Sequence, residues 1–265
     1  MIRIPHLETD VLFGLCECSC VACNHAVPLW RTQAPRLTSP ASIERDLAHL
    51  STILHADVWG ALGGEPLLHP DLVKILKIVR ASGIADTIEV WTNGIKLAQG
   101  KWPEGFWEAE FDTLVVSLYP GRMDDDAEAR VKELCDTHGR VFSPRDERRL
   151  PNFRTLLEPQ PTTHEVTRRK FAGCFFRHFS RNVTNGYFFT CCCGPHLPAT
   201  VQGRPYGTDG VAIEGLTEVA LRAYLQRTEP LGACTICAGR DTAVPIVWSE
   251  EKDPETWLRK SRGEQ

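Results

Sequence analysis

Eleven cysteines dominate the chemistry open to this sequence, and they are clustered. Four fall in Cys16-Glu17-Cys18-Ser19-Cys20-Val21-Ala22-Cys23, where Cys16, Cys20 and Cys23 have the spacing C-x3-C-x2-C. Three thiolates on one short loop can hold three irons of a cubic [4Fe–4S] cluster and leave the fourth open, whereas plain electron-transfer clusters use four cysteines. Zinc takes the same thiolates but favours paired C-x2-4-C knuckles. Spacing alone favours iron–sulfur and leaves zinc open. Cys18 is then a spare thiol. A second set comprises Cys174, the run Cys191-Cys192-Cys193, and Cys234-Thr235-Ile236-Cys237. Four of these thiolates could build a zinc ribbon or a further cluster. Cys135, four residues after Val131 on a helical pattern, is expected in the core.

The background composition narrows the setting. The chain has 265 residues, 42% hydrophobic and 24% charged, which suits a globular α/β protein with a real core. A net charge of −4 gives no electrostatic footprint for nucleic acid, so nucleic acid is not the expected partner. The N-terminal residues lack the basic and long apolar regions of a secretory signal, and no apolar run is long enough for a membrane span. A cytoplasmic setting is therefore expected, without membrane attachment. There, clustered cysteines point to metal or catalysis rather than disulfides.

The cysteine loop must be mounted on something. Residues 11–15 read as a first strand running into it. Ser39-Pro40 reads as a helix start, followed by Ile43, Leu47, Leu50 and Leu54 at helical spacing. Residues 58–62 form a second apolar run, closed by Gly63-Gly64-Glu65-Pro66. Leu72, Ile75, Leu76 and Val79 mark the next helix, with Gly83 placed to cap it. Residues 87–92 read as a third strand ending in Asn93-Gly94, and residues 113–119 as a fourth. Residues 124–138 read as a helix with three aspartates at its start and Gly139 after its end. Strands alternating with helices mean βαβ units and a parallel sheet, in which ligands gather at the C-terminal strand ends. The cysteine loop, the Gly-Gly-Glu-Pro turn and Asn93-Gly94 all fall there.

These three motifs, in this order over residues 11 to about 140, resemble those of the radical S-adenosylmethionine (SAM) enzymes. The resemblance implies a partial (β/α)6 barrel in which Cys16, Cys20 and Cys23 carry a [4Fe–4S] cluster whose open iron binds SAM. It implies that Gly63, Gly64, Glu65 and Pro66 approach the methionyl amine, with the backbone near Gly63 and the Glu65 carboxylate as acceptors, and that Thr92, Asn93 and Ser117 belong to the cofactor site. One residue departs from the pattern: the position before the third cysteine is usually aromatic in the family and is Ala22 here.

The second half resembles a Twitch or truncated SPASM extension, with the pattern C-x11-G-x4-C, a gap, then C-x2-C. There a small β-hairpin and helix hold an auxiliary [4Fe–4S] cluster, which implies Cys174, Cys191, Cys234 and Cys237 as ligands. Tyr187, Phe188 and Phe189 suit a hairpin strand after an Asn185-Gly186 turn. Residues 217–227 read as a helix turning Val219, Ala220, Ala223 and Tyr224 inward. If Cys191 to Cys193 continue the strand, Cys191 and Cys193 face the cluster and Cys192 faces away. Either spare thiol, Cys192 or Cys193, is then a candidate ligand, a hydrogen-atom donor or a buried apolar group. The expected organisation is a partial barrel over residues 1–142, a basic connector with remaining barrel elements over 143–170, and an auxiliary cluster domain over 171–265.

Residues 140–181 hold nine arginines and one lysine against four acids, a local balance of +6. Arg145, Arg148, Arg149 and Arg154 fall where barrel passes to auxiliary domain. They form either a solvated surface or a guanidinium fork for substrate, with Arg149 the candidate base. No two histidines have metal-ligand spacing; His25 and His69 lie beside motifs.

The resemblance implies reductive cleavage of SAM to a 5′-deoxyadenosyl radical that takes hydrogen from a substrate C–H bond. Two [4Fe–4S] clusters and SAM are the expected cofactors, with a flavodoxin- or ferredoxin-type electron donor and a small-molecule substrate as partners. The layout is similar to that of a radical SAM aminocyclitol dehydrogenase, which favours two-electron oxidation of a sugar- or aminocyclitol-like alcohol. The alternatives are an epimerase with a cysteine hydrogen donor, a peptide-modifying enzyme, and a non-catalytic iron–sulfur or zinc protein. A peptide-modifying enzyme is expected to carry a leader-binding domain, for which the residues before Cys16 leave no room.

Overall fold

The computed structural model describes residues 1–31, 36–149, 153–239 and 242–264. The chain opens with β1 (Ile2–Phe13), the cysteine loop and α1 (Val27–Trp30). It continues with β2 (Arg36–Leu37), α2 (Pro40–Leu50), β3 (Leu54–Gly63), α3 (Leu72–Ser82), β4 (Ala85–Thr92) and α4 (Ile95–Ala98). Then come β5 (Thr113–Leu118), α5 (Asp125–Thr137), β6 (Val141–Asp146), α6 (His164–Gly173) and α7 (Phe175–Phe179). The second half adds β7 (Ser180–Thr184), β8 (Tyr187–Phe189), α8 (Leu197–Thr200), β9 (Val211–Ala212), α9 (Glu218–Leu225) and α10 (Pro254–Ser261). No described helix is long and apolar enough to cross a membrane.

Local chemistry sets most boundaries. The Ser39 hydroxyl accepts the Ser42 amide at the start of α2, Asp124 accepts the Ala127 amide at the start of α5, and Gly83 takes φ 62 to end α3. Leu54, expected at the end of the first long helix, instead opens β3, because α2 stops at Leu50.

The strands form one sheet in the order β6-β5-β4-β3-β1-β7-β8-β9, with β2 also pairing β1. Every pair from β6 to β7 is parallel, and β7-β8-β9 is antiparallel. The sixth parallel strand, β7, therefore lies beside β1 (His6 opposite Ser180) rather than beside β6. The second-half hairpin extends this same sheet. Its turn is the expected one, with Asn185 at φ 51 and Gly186 at φ 81, both left-handed.

One face of the sheet, carrying Leu7, Val11, Trp59, Ile88, Val90, Leu114 and Val116, packs against Ile43 and Leu47 of α2, Ile75 and Leu76 of α3, and Val131 and Cys135 of α5. Cys135 is a core residue, as expected. The first strand starts nine residues earlier than residues 11–15 suggested. Its opposite face carries His6, Glu8 and Asp10, so both faces are buried and simple apolar periodicity does not reveal it. Helix α9 also differs from expectation. Its buried stripe is Leu221 with Tyr224 and Leu225 against it, while Val219 is 79% exposed.

Candidate functional site

The cysteine loop leaves β1 at Gly14 and is held from three sides. The Gly64 amide donates to Leu12 O (2.7 Å) and the Glu65 amide to Leu15 O (2.9 Å). The Arg31 guanidinium donates to Cys16 O (2.6 Å), Cys18 O (2.9 Å) and the Ser19 hydroxyl (2.6 Å). A C-terminal segment, residues 248–261, closes the third side: Val21 N bonds Ser249 O and Trp257 Nε1 bonds Cys20 O.

The three motifs meet here through Glu65. Its carboxylate accepts the Leu67 amide (3.1 Å), the Thr92 hydroxyl (2.7 Å) and the Asn93 amide (2.8 Å). Burial pushes its pKa up to about 7, against these donors. Three donors thus already occupy the Glu65 carboxylate, which joins the two turns. The Asn93 amide group reaches Glu17 Oε2 (3.1 Å) and Cys16 Sγ (3.7 Å). Gly63, Gly64, Thr92, Asn93 and Ser117 line the same cavity, and Pro66 is buried in the turn behind it.

That cavity has a volume of about 680 Å³ and is lined by every cysteine except Cys135. The thiols meet N–H donors: Cys18 N on Cys16 Sγ (3.4 Å) and Trp248 Nε1 on Cys20 Sγ (3.2 Å). Cys18 lies between Cys16 and Cys20, and contact with both sulfurs pushes its thiol up. Burial pushes the Cys23 thiol up to about 12. Across the cavity, Cys193 N donates to Cys191 Sγ (3.4 Å) and Gly239 N to Cys237 Sγ (3.3 Å). Burial, then neighbouring Cys191, pushes Cys174 up to about 11. Buried sulfurs gathered in two sets, with backbone and side-chain N–H groups aimed at them, form a donor set that fits thiolate-bound metal. Cys16, Cys20 and Cys23 could hold one such group, and Cys174, Cys234, Cys237 and the Cys191–Cys193 run another.

The run differs from the strand expected of it. β8 ends at Phe189, so side-chain alternation does not extend to the cysteines, and all three sulfurs lie within 4.8 Å of one another. Cys193 lies against Cys191, Cys192 and Cys237. Cys192 instead receives the Asn24 amide group (3.8 Å), and neighbouring Cys191 and Cys193 thiols bring it down to about 6.

The floor of the cavity was invisible in the sequence motifs. His6 and Glu8 line it from the inward face of β1. His6 Nδ1 lies 3.3 Å from Glu8 and Nε2 3.7 Å from Glu89. Burial opposes its charge, but the two carboxylates raise it to about 9. Glu8 also accepts the Ser180 hydroxyl, and its Oε2 has no protein partner among the described residues. Asp10, fully buried, bridges His25 Nδ1 (2.8 Å) and His196 Nε2 (3.0 Å), while Trp30 Nε1 donates to His196 Nδ1 (3.2 Å). His25 and His196 thus meet through a carboxylate, although they are far apart in sequence. His69 accepts the Asp71 amide in the turn before α3 and lies against the Thr38 backbone.

The arginines divide. Arg149, expected to act on substrate, is not part of the cavity wall. It is 63% exposed and paired with Asp125 (3.1 Å) and Asp146 (3.3 Å). Arg148 is held by Asp146, Asp125, Glu128 and Met123 O. Arg145 and Arg154 do line the cavity, with Arg145 stacked 5.2 Å over Trp91.

No family model matches this sequence, and no curated protein does. Solved structures do match its fold. BtrN in complex with AdoMet and 2-DOIA aligns at TM-score 0.53 and 14% identity, over 89% of this chain and 86% of that one. Native anSMEcpe with bound AdoMet aligns at TM-score 0.52 and 11% identity, over 97% and 96%. The fold is that of the radical SAM enzymes. The radical SAM fold places the cysteine loop, Gly63-Gly64 and Asn93 at the C-terminal ends of adjacent parallel strands β1, β3 and β4, the position where α/β sheets bind ligands.

Proposed function

We propose that this protein is a radical SAM enzyme performing a two-electron oxidation of a sugar- or aminocyclitol-like alcohol. The observation that carries this reading is the single cavity of about 680 Å³ walled by both cysteine sets and by the glycine and asparagine motifs. In this reading Cys16, Cys20 and Cys23 hold a [4Fe–4S] cluster, and Cys174, Cys234, Cys237 and a member of the Cys191–Cys193 run hold a second. With cluster and SAM bound, the site would supply one electron to the sulfonium and so the 5′-deoxyadenosyl radical that takes hydrogen from a substrate carbon.

The chain's own groups would orient the substrate. Protonated His6 and Arg145 offer donors to hydroxyl oxygens, and Glu8 Oε2 offers an acceptor to a hydroxyl or ammonium group. The Glu8 carboxylate on this floor is the group that would meet an amine; Arg148 and Arg149, whose charges are met by Asp125, Asp146 and Glu128, lie outside the cavity, while Arg145 and Arg154 line its wall. Phe175, Phe176 and Phe179 line the same space and give it an apolar side.

The second reading, epimerisation, is favoured by one observation: Cys192 turns from Cys237 toward Asn24, beside Cys23. Both are tested by incubating reconstituted protein in deuterium oxide with SAM, reductant, and either scyllo-inosamine or scyllo-inositol. A ketone free of solvent deuterium supports oxidation. One deuterium at an inverted carbon, lost in Cys192→Ala or Cys193→Ala, supports epimerisation. SAM cleavage without either product overturns the substrate class.

A further inference from the structure

The C-terminal segment does more than cover the cysteine loop. Five of its contacts reach backbone groups or fix backbone position: Val21 N to Ser249 O (2.9 Å), Glu251 N to Ser19 O (2.8 Å), Ser19 N to Glu250 Oε1 (2.8 Å), Trp257 Nε1 to Cys20 O (2.8 Å) and Ala22 N to Ser261 Oγ (3.1 Å). The sixth is different in kind. Trp248 Nε1 donates to the sulfur of Cys20 at 3.2 Å. Its indole is stacked on Tyr119 with ring centres 5.2 Å apart and planes 10° from parallel, which fixes the direction of the N–H. Cys20 is buried, with 7% exposure, so little water competes for that sulfur; the Cys18 thiol and Tyr119 hydroxyl also lie against it.

We propose that Trp248 is a positioning residue whose N–H, fixed on Cys20 by the Tyr119 stack and the C-terminal segment, makes a cluster held by Cys16, Cys20 and Cys23 easier to reduce. The physical ground is charge. Reduction adds one electron, part of which resides on the ligating sulfurs, and in a buried site that charge is poorly solvated. An N–H dipole aimed at sulfur stabilises the more negative state more than the less negative one. The device links the last part of the chain to the first metal-binding loop across 228 residues. It also supplies an aromatic side chain beside the loop whose own position 22 is alanine. The inference rests on the reading that Cys20 is a cluster ligand.

The test uses full-length protein, reconstituted without oxygen, and potentiometric titration of the electron paramagnetic resonance signal that changes on adding SAM. The variant Trp248→Phe keeps the aromatic stack and deletes the donor. At the potential where the wild-type cluster is half reduced, the reduced-to-oxidised ratio in Trp248→Phe is expected to fall by up to about tenfold, the equivalent of about 59 mV for one electron. Iron content should be unchanged. Trp257→Phe, which loses a donor to a carbonyl rather than to sulfur, should leave the ratio where it is. An unchanged ratio in Trp248→Phe at full iron overturns the proposal, as does an equal shift in Trp257→Phe. Should Trp248→Phe lose iron, electron–nuclear double resonance on the wild type with 15N-labelled tryptophan decides: a nitrogen coupling to the cluster supports it, and none overturns it. Failure of the underlying reading looks different, as full iron retained in Cys20→Ala.

Discussion

Replacing Gly64 by alanine should be far more costly than replacing Gly83, although both are glycines at turns. A Cβ at Gly64 would lie 2.0 Å from Leu15 O and 2.9 Å from Leu15 C. These are backbone atoms and cannot rotate away. The same two segments are joined by Gly64 N to Leu12 O and Glu65 N to Leu15 O, so relief means separating the turn from the cysteine loop. Losing two buried backbone hydrogen bonds costs about 2 kcal/mol. Residual overpacking adds about 1–2 kcal/mol, for a total of about 3–4 kcal/mol. Gly83 has φ +62 and nothing within 4 Å of a built Cβ, so alanine there costs only the left-handed backbone, about 1 kcal/mol. At this chain length the difference corresponds to about 5–10 °C in Tm. Calorimetry of the metal-free variants reads the stability, and iron content after reconstitution reads the loop. Equal Tm losses for Gly64→Ala and Gly83→Ala, with equal iron, would refute the reasoning.

Other outcomes follow from the same geometry. His6 is raised from 6.5 to about 9 in the folded protein, so its contribution is complete below pH 6.5 and lost as pH rises through about 9. Its upper limit is about 3 kcal/mol at 1.36 kcal/mol per unit. Urea unfolding of wild type and His6→Gln should therefore show a stability gap at pH 6 that narrows by pH 10, and a constant gap would count against the ion-pair assignment. Arg149→Ala should cost no more than about 0.5 kcal/mol and leave SAM cleavage intact, since it removes exposed ion pairs only. A drop in SAM cleavage there, measured as 5′-deoxyadenosine formed, would return Arg149 to the site.

What the sequence revealed depended on whether the signal was local. C-x3-C-x2-C, Gly-Gly-Glu-Pro, Asn93-Gly94 and the Asn185-Gly186 turn each declare themselves within a few residues, because tight turns and metal loops impose short-range rules. The caps at Ser39 and Asp124 did likewise. What escaped was made by distant segments. His6, Glu8 and Asp10 alternate with Leu7 and Val11 as a solvated strand would, yet His6 and Glu8 face a cavity closed by the second half of the chain and Asp10 is buried against His25 and His196. Trp248, Trp257 and Ser261 show no relation to the cysteine loop until the C-terminal segment folds back on it. The basic connector divides for an electrostatic reason that composition does not show: Arg148 and Arg149 are neutralised by aspartates and a glutamate on α5 and β6, while Arg145 and Arg154 line the cavity. Position in the αL region at Ala22 and Ala26 likewise has no alanine-specific signature.

The central claim is that Cys16, Cys20 and Cys23 hold the metal centre at which SAM is cleaved. It is tested most directly by counting iron and sulfide in the anaerobically reconstituted wild type and in Cys16→Ala/Cys20→Ala/Cys23→Ala, with 5′-deoxyadenosine formation measured on the same samples. The account predicts about eight irons for the wild type, about four for the triple variant, and no SAM cleavage in the latter. Undiminished SAM cleavage by the triple variant, or zinc in place of iron in the wild type, would contradict it.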